Sequence, residues 1–361
     1  MNQMNVKGKA LVLTNGMLDT DSAKTCHGLL RGSERFKVAG VIDTKHAGKD
    51  AGKVMDGYEL GVPIVENVEA FFEANPNADV QFCVVGVALP GGKLPEPMIV
   101  DLLSAVERGM SLVSGLHSYL SEIPEIFTAA QRKRVDLIDI RKPKSIKDLH
   151  FWSGKIYDVN AARIAVLGMD CGIGKRTTCR FIMESCRAHG IYAEMIYTGQ
   201  TGWMQGYPYG FIFDSTLNDF VSGELEHSIV NCDKELNPDL ILLEGQSALR
   251  NPSGPCGSEM ILSGDAKGII LVHAPDRMFY KHTTTPMSNV ESEIELIKFY
   301  GAEVLGVALN EGSADHQFLE DYKKELSSSL DIPVVRPLVD GVADFMPAIK
   351  SFIDKKVPSV K

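Results

Sequence analysis

The sequence predicts an α/β protein of two doubly wound domains, residues 1–150 and 151–361, each built on a mainly parallel sheet. Three observations predict it. Short apolar, β-branched runs alternate with helical patterns along most of the chain, which implies parallel strands joined by helices that cover both sheet faces. Those runs are apolar at consecutive positions, as strands buried on both faces require. The chain has 361 residues, long for one domain and comfortable for two.

In the first half, residues 9–14 read as a strand, with a turn at Asn15-Gly16 and a helix over residues 22–31. Residues 36–42 form the next strand, ending at Asp43. Residues 80–87 are a strongly apolar strand, and residues 97–108 a helix. A strand at 111–114, a helix at 123–132 and a strand at 135–140 complete a Rossmann-like domain. Its phosphate signal is weak: Thr14-Asn15-Gly16-Met17-Leu18-Asp19 stands where Gly-x-Gly-x-x-Gly would bind a dinucleotide. Asp43 occupies the place of a ribose-binding acid, with a loop cap as the alternative. Gly91-Gly92 reads either as the opening of a ligand crevice or as a surface turn.

Residues 141–160 form the connection. Arg141-Lys142-Pro143-Lys144 is basic and holds a proline, as a linker does. His150-Phe151-Trp152 is expected to pack between the domains.

The second half opens on the most informative stretch. Residues 161–168 are an aliphatic strand, followed by Met169-Asp170-Cys171-Gly172-Ile173-Gly174-Lys175-Arg176-Thr177-Thr178 and a helical pattern to about His189. Strand, glycine loop, lysine and helix in that order build a phosphate cradle. Glycines let backbone N–H groups converge on an anion, the helix start adds positive potential, and the lysine reaches the outer phosphates. The expected nucleotide-binding residues are therefore Gly168, Asp170, Gly172, Gly174, Lys175, Arg176, Thr177 and Thr178. Five residues separate Gly168 from Gly174, where the common P-loop has four. Arg176 stands where a metal-binding hydroxyl normally follows the lysine. Thr177 or Thr178 would have to replace that hydroxyl if Mg²⁺ is used. Cys171 lies inside the loop, as a small residue fitting the turn or as a thiol activated by the helix start.

Residues 193–197 form the next strand, and Thr198-Gly199-Gln200-Thr201-Gly202 a turn. Residues 207–213 are aromatic, and residues 217–230 helical. Leu240-Ile241-Leu242-Leu243-Glu244-Gly245 has the form of a Walker B strand, about seventy residues after the phosphate loop. Glu244 would hold Mg²⁺, together with Thr177, if the ion is used. The strand at 269–273 ends in His273, on the edge where such sheets bind ligands, as a base or as a loop histidine. Residues 304–309 form a strand followed by Asn310, residues 332–335 the last strand, and residues 342–353 a terminal helix. Residues 323–329 read as a solvated helix end.

Composition excludes several classes. Hydrophobic residues make up 44% of the chain, as in a globular protein. A net charge of −10 argues against nucleic acid or an anionic membrane as the main partner. No run reaches the roughly 18 apolar residues of a membrane span, and residues 1–9 lack the apolar core of a signal peptide. Seven scattered cysteines without a Cys-x-x-Cys pair fit reduced thiols in a cytoplasmic protein. The expected partners are a small-molecule substrate and further copies of the chain.

The five-residue spacing with an early Asp resembles the P-loop of dethiobiotin synthetase and its ATPase relatives. In that group an Asn at the place of Asn310 contacts the purine. Taken together, Gly168-Met-Asp-Cys-Gly-Ile-Gly-Lys-Arg-Thr-Thr, Tyr197-Thr-Gly-Gln-Thr-Gly, Glu244-Gly-Gln-Ser-Ala-Leu and Leu271-Val-His-Ala-Pro-Asp-Arg resemble domain-of-unknown-function family 1611, described as D-glutamate N-acetyltransferase-like. The resemblance spans nearly the whole chain. It implies a Rossmann-like N-terminal domain, a P-loop NTPase-like C-terminal domain, and an N-acetyltransferase that uses acetyl-CoA on an acidic D-amino acid.

Under that reading the P-loop binds the phosphates of acetyl-CoA, and Arg176 offsets their charge in place of a metal. The catalytic candidates are Lys175, Glu244 and His273. Glu244 or His273 would take the amine proton, and Gly199, Gln200 and Gln246 would bind the substrate and supply donors to the developing oxyanion. The rival reading is an ATP- and Mg²⁺-dependent ligase or kinase acting on a carboxylate. A third is a non-catalytic nucleotide sensor.

Overall fold

The computed structural model describes residues 6–281 and 283–355. The expectation about residues 1–9 therefore falls partly outside the described residues. The chain divides into two compact units, Met1–Pro143 with Gln200–Pro208, and Lys144–Gly199 with Tyr209–Lys361.

In the first unit the strands are β1 (Gly8–Leu13), β2 (Phe36–Ile42), β3 (Ile64–Val65), β4 (Phe82–Val85), β5 (Ser111–Ser114) and β6 (Leu137–Asp139). They lie in the order β3-β2-β1-β4-β5-β6, every neighbouring pair parallel. This is the Rossmann order. Between the strands run α1 (Lys24–Leu30), α2 (Ala51–Met55), α3 (Val68–Ala74), α4 (Glu96–Glu107) and α5 (Pro124–Lys133). Leu11, Leu13, Val85 and Leu112 of the sheet pack with Leu102 and Ile126 of the helices in one buried cluster. Gly86 lets β4 close against β1, because a Cβ there would lie 2.5 Å from Val12 Cγ1.

Asp43 takes the loop-cap alternative. It is fully buried, one carboxylate oxygen accepts from Thr14 Oγ1 and Leu18 N, and the other from His46 N at 3.2 Å with His46 Nδ1 at 2.8 Å. Both oxygens are thus committed to the protein, and the ribose-binding alternative loses its acid. Gly91-Gly92 forms a turn closed on His117, since a Cβ on Gly92 would lie 2.5 Å from that ring.

The strands of the second unit are β7 (Ala162–Gly168), β8 (Ala193–Ile196), β9 (Leu240–Glu244), β10 (Gly268–His273), β11 (Glu303–Leu309) and β12 (Val334–Val335). Their order is β12-β11-β10-β7-β9-β8, again all parallel. The helices are α6 (Lys175–Ala188), α8 (Asn218–Leu236), α9 (Ser258–Leu262), α10 (Val290–Phe299), α11 (His316–Leu330) and α12 (Met346–Asp354). The remaining helix, α7 (Gln200–Gln205), belongs to the first unit, where Thr201 Oγ1 meets Thr25 Oγ1 and Gln205 donates to Gly28 O.

On one face of the second sheet, Leu167, Leu243, Leu271 and Leu309 pack with Leu225, Ile229, Ile261 and Ile294. Side chains alternate along a strand, so Val166 and its partner Glu244 point to the other face. The connection is laid along α8 by buried acids. Glu224 accepts from Lys144 Nζ and His150 N, Glu226 from Ser153 N and Ile156 N, and Asp233 from Ala161 N. His150 stacks on His227 and Phe151 packs on Phe220, so the aromatic run expected between the domains packs on a helix of its own unit. No helix among the described residues is long and apolar enough to cross a membrane, and all seven cysteines are free thiols.

Candidate functional site

The phosphate loop follows β7 at the edge of the sheet where β7 and β10 hand the chain off in opposite directions, the place where open α/β sheets bind ligands. Gly168 is needed there because a Cβ would lie 2.9 Å from Lys175 Cδ. Gly172 and Gly174 have φ of +66° and +92°, a left-handed backbone that other residues enter only with strain. Gly174 is the N-cap of α6 and no side chain caps the helix. The helix ladder starts at Thr178, whose N–H bonds to Gly174 O. The positive end of the helix dipole thus faces the loop.

Lys175 is folded back over the loop. Its Nζ donates to Asp170 O at 2.6 Å and to Ser247 O at 2.7 Å, and burial pushes its ammonium down to about 8. Asp170 is fully buried and ties three segments together. Its Oδ1 accepts from Asn251 Nδ2, and its Oδ2 from Arg277 Nη1 and Lys281 N, each at 2.9 Å. Arg277 Nη1 also donates to Cys171 O. Asp170 therefore shapes the loop from within. Cys171 sits 3.3 Å from Ser247 Oγ, filling the turn.

Glu244 ends β9, beside β7. Its Oε2 accepts from Thr198 N at 3.0 Å, and its backbone carbonyl from Thr198 Oγ1 at 2.7 Å. Burial raises its carboxyl above the usual range, while Arg176, Lys175 and the Thr198 and Gly199 amides pull it back down. Gln246 Nε2 donates to the same Thr198 hydroxyl at 3.0 Å and lies 3.0 Å from where a Cβ on Gly199 would stand. Gly199, Glu244 and Gln246 thus form one cluster at the ends of β8 and β9. Asn310 approaches the phosphate loop, its Nδ2 lying 3.2 Å from a Cβ built on Gly174.

Two expected site residues make their side-chain bonds with other partners. His273 shares its sheet face with Leu271 and its strand partner Leu309, opposite Glu244. Its Nε2 shares a hydrogen bond of 3.1 Å with the Tyr322 hydroxyl on α11, and burial pushes its imidazole down to about 4. Gln200 is the first residue of α7, and its Oε1 accepts from Arg141 Nη2 at 3.0 Å inside the first unit. Thr177 is half-buried and Thr178 buried, both on the first turn of α6.

The sequence reading missed Thr198, Ser247, Asn251, Arg277 and Lys281. Each lies in or beside the quoted motifs or in the loops after β9 and β10. Thr198 bonds to Glu244, Ser247 to Lys175, and Asn251, Arg277 and Lys281 to Asp170, across up to 111 residues of chain.

The profile described as "Domain of unknown function (DUF1611_C) P-loop domain" matches residues 150–346, and that described as "Domain of unknown function (DUF1611_N) Rossmann-like domain" matches residues 44–143. A relative from Pseudoalteromonas sp, named D-glutamate N-acetyltransferase, is 30% identical over 269 residues, 72% of this chain and 78% of the relative. One of the same name from Tritonibacter scottomollicae is 28% identical over 297 residues, 78% of this chain and 84% of the relative. The crystal structure of a DUF1611 family protein from Anabaena variabilis ATCC 29413 matches with a TM-score of 0.86 and 26% identity, covering 95% of this chain and 99% of that one.

Proposed function

The chain belongs to the DUF1611 family, and on that premise we propose that it is an N-acetyltransferase that moves the acetyl group of acetyl-CoA to the amino group of an acidic amino acid such as D-glutamate. The names of the relatives suggest the reaction. The observation that carries it to this site is the charge of the phosphate loop. Fixed cations, Lys175 and Arg277, are bonded into the loop, and Arg176 stands in the place of the metal-binding hydroxyl. CoA carries a diphosphate and a 3′-phosphate on adenosine, and such a loop can bind them without hydrolysing anything.

In the reaction the amine nitrogen forms a bond to the thioester carbonyl carbon. The carbon–sulfur bond breaks, CoA leaves as a thiolate that takes up a proton, and the amine proton goes to a base. Glu244 is that base in this reading, because burial raises its carboxyl above the usual range and it ends β9 beside the phosphate-loop strand. The side-chain amide of Gln246 is the donor for the oxyanion, while the Gly199 N–H holds Glu244.

The test is release of CoA thiol when the protein is given acetyl-CoA and D-glutamate. Thiol release that needs both substrates supports the proposal, and none with any acidic amino acid overturns it.

One observation favours an ATP-dependent reading instead. Glu244 ends a strand beside the phosphate-loop strand, where a Walker B acid binds Mg²⁺ with Thr177 or Thr178. ADP formation that depends on a carboxylic substrate would support it. Tight nucleotide binding with no turnover would support a sensor.

A further inference from the structure

Lys281 is brought to the phosphate loop by its own backbone. Its N–H donates to Asp170 Oδ2 at 2.9 Å, so the residue is anchored on the carboxylate that shapes the loop from within. Its side chain also reaches the loop: Nζ stands 3.5 Å from where a Cβ on Gly172 would lie. Gly172 has no side chain to fill that place, and its φ of +66° disfavours one. We propose that Lys281 is a phosphate-binding residue whose ammonium contacts the diphosphate of the ligand held on the loop. The proposal rests on the reading of this loop as a phosphate site and not on the acetyl transfer.

Two observations carry it. The first is position. Lys175 Nζ donates to Asp170 O and Ser247 O, and Arg277 Nη1 to Asp170 Oδ2 and Cys171 O, bonds that hold the loop in shape. Lys281 adds an ammonium beside Gly172, a turn of the loop that neither of those bonds covers. The second is charge. Lys175, Arg277 and Lys281 bring three cations to residues 170–172, and Asp170 brings one carboxylate. Cations gathered round a single acid repel one another until an anion joins them. In a chain of net charge −10 such a surplus is local, and it attracts an anion to this place.

The same geometry selects the phosphate. CoA carries a diphosphate and, on its ribose, a separate 3′-phosphate. A glycine-rich loop cradles contiguous phosphates in its backbone N–H groups. An ammonium standing on the loop itself therefore meets the diphosphate.

The test is calorimetric titration of CoA, and of dephospho-CoA, which lacks the 3′-phosphate, into wild type, Lys281→Ala, Lys281→Gln and Lys350→Ala. Lys281→Ala keeps the backbone N–H that bonds Asp170, so it removes the ammonium and leaves the anchor. Lys281→Gln also keeps most of the stem and loses only the charge. Lys350 is an exposed lysine of α12, whose Phe352 packs at Gly268, the start of β10 and the end of that strand away from the phosphate loop. Its removal controls for net charge. The expected result is a loss of affinity of about tenfold or more in both Lys281 variants, equal for the two ligands. Lys350→Ala should stay within about twofold. Affinity unchanged in Lys281→Gln, an equal loss in Lys350→Ala, or a loss with CoA alone, which would assign the ammonium to the 3′-phosphate, would each overturn the proposal. If wild type binds ADP and not CoA, the acyl-transfer reading fails by itself. The same variants titrated with ADP, which carries a diphosphate too, then decide Lys281 separately.

Discussion

The ammonium of Lys175 donates to the backbone carbonyl of Ser247 at 2.7 Å, and Ser247 is held at a φ of +41°. A left-handed backbone at a residue with a side chain costs on the order of 1–3 kcal/mol and persists only where its surroundings enforce it. Here it aims a carbonyl of the loop after β9 at the lysine of the loop after β7. The two loops are thereby joined, and the lysine is kept buried with its proton weakly held.

That burial predicts a pH dependence of ligand binding. The Lys175 ammonium lies at about 8 in the free protein, and a phosphate beside it raises that value. Below pH 8 the lysine is charged both free and bound, so affinity is flat. Above pH 8 binding must take up a proton, so affinity falls by up to about tenfold per pH unit. Calorimetry in two buffers of different ionisation enthalpy should show uptake of nearly one proton per ligand near pH 9. A flat profile from pH 7 to 9.5 would remove Lys175 from the phosphate site.

The opposite sheet faces of Glu244 and His273 predict unequal mutants. Glu244→Gln should lower kcat by about 10²–10⁴-fold with acetyl-CoA affinity little changed. His273→Ala should leave kcat within about fivefold, since a residue remote from proton transfer lacks that general-base factor. The reverse ranking would transfer the base to the other face.

His273 should also make the fold acid-sensitive. Its imidazole lies at about 4 in the folded protein, below the value near 6.5 of an unfolded chain. Between those values the unfolded chain binds more protons, so stability rises with pH across this window and is lost as pH falls through it. The contribution is about 3 kcal/mol between pH 7 and pH 4. NMR titration should find this imidazole neutral at pH 5.5, and a charged ring there would refute the assignment.

Glu226 anchors the connection to α8 through Ser153 N, Ser153 Oγ and Ile156 N. Glu226→Ala leaves the buried Ile156 N–H and the Ser153 N–H and hydroxyl without their acceptor and should destabilise the second unit by about 1–3 kcal/mol. A change under about 0.5 kcal/mol, the size usual for a surface substitution, would mean that the connection is held some other way. Denaturation in urea, followed by the fluorescence of Trp152 beside this anchor, reads the effect.

The sequence carried the strand and helix alternation of both units, because strands buried on both faces are apolar at most consecutive positions. It also carried the phosphate loop, because its glycines answer to backbone geometry that Gly172 and Gly174 adopt. Residues 51–74 gave no such signal. Their strand β3 has two residues and their helices α2 and α3 have five and seven, too short for a clear period. The Asp170 hub was illegible for a different reason. Asn251, Arg277 and Lys281 reach it across 81, 107 and 111 residues of chain, and no local pattern encodes such bonds. The separation of Glu244 from His273 was present in the alternation of β9 and β10, but it became readable only with the register of both strands against β7 and β11.

The central claim is that the phosphate loop holds CoA. Calorimetric binding of acetyl-CoA, CoA and ATP·Mg²⁺ to wild type and Lys175→Ala tests it most directly. Binding of acetyl-CoA and CoA by wild type, loss of both in Lys175→Ala, and no heat with ATP·Mg²⁺ is the predicted result. Binding of ATP·Mg²⁺ alone would contradict it.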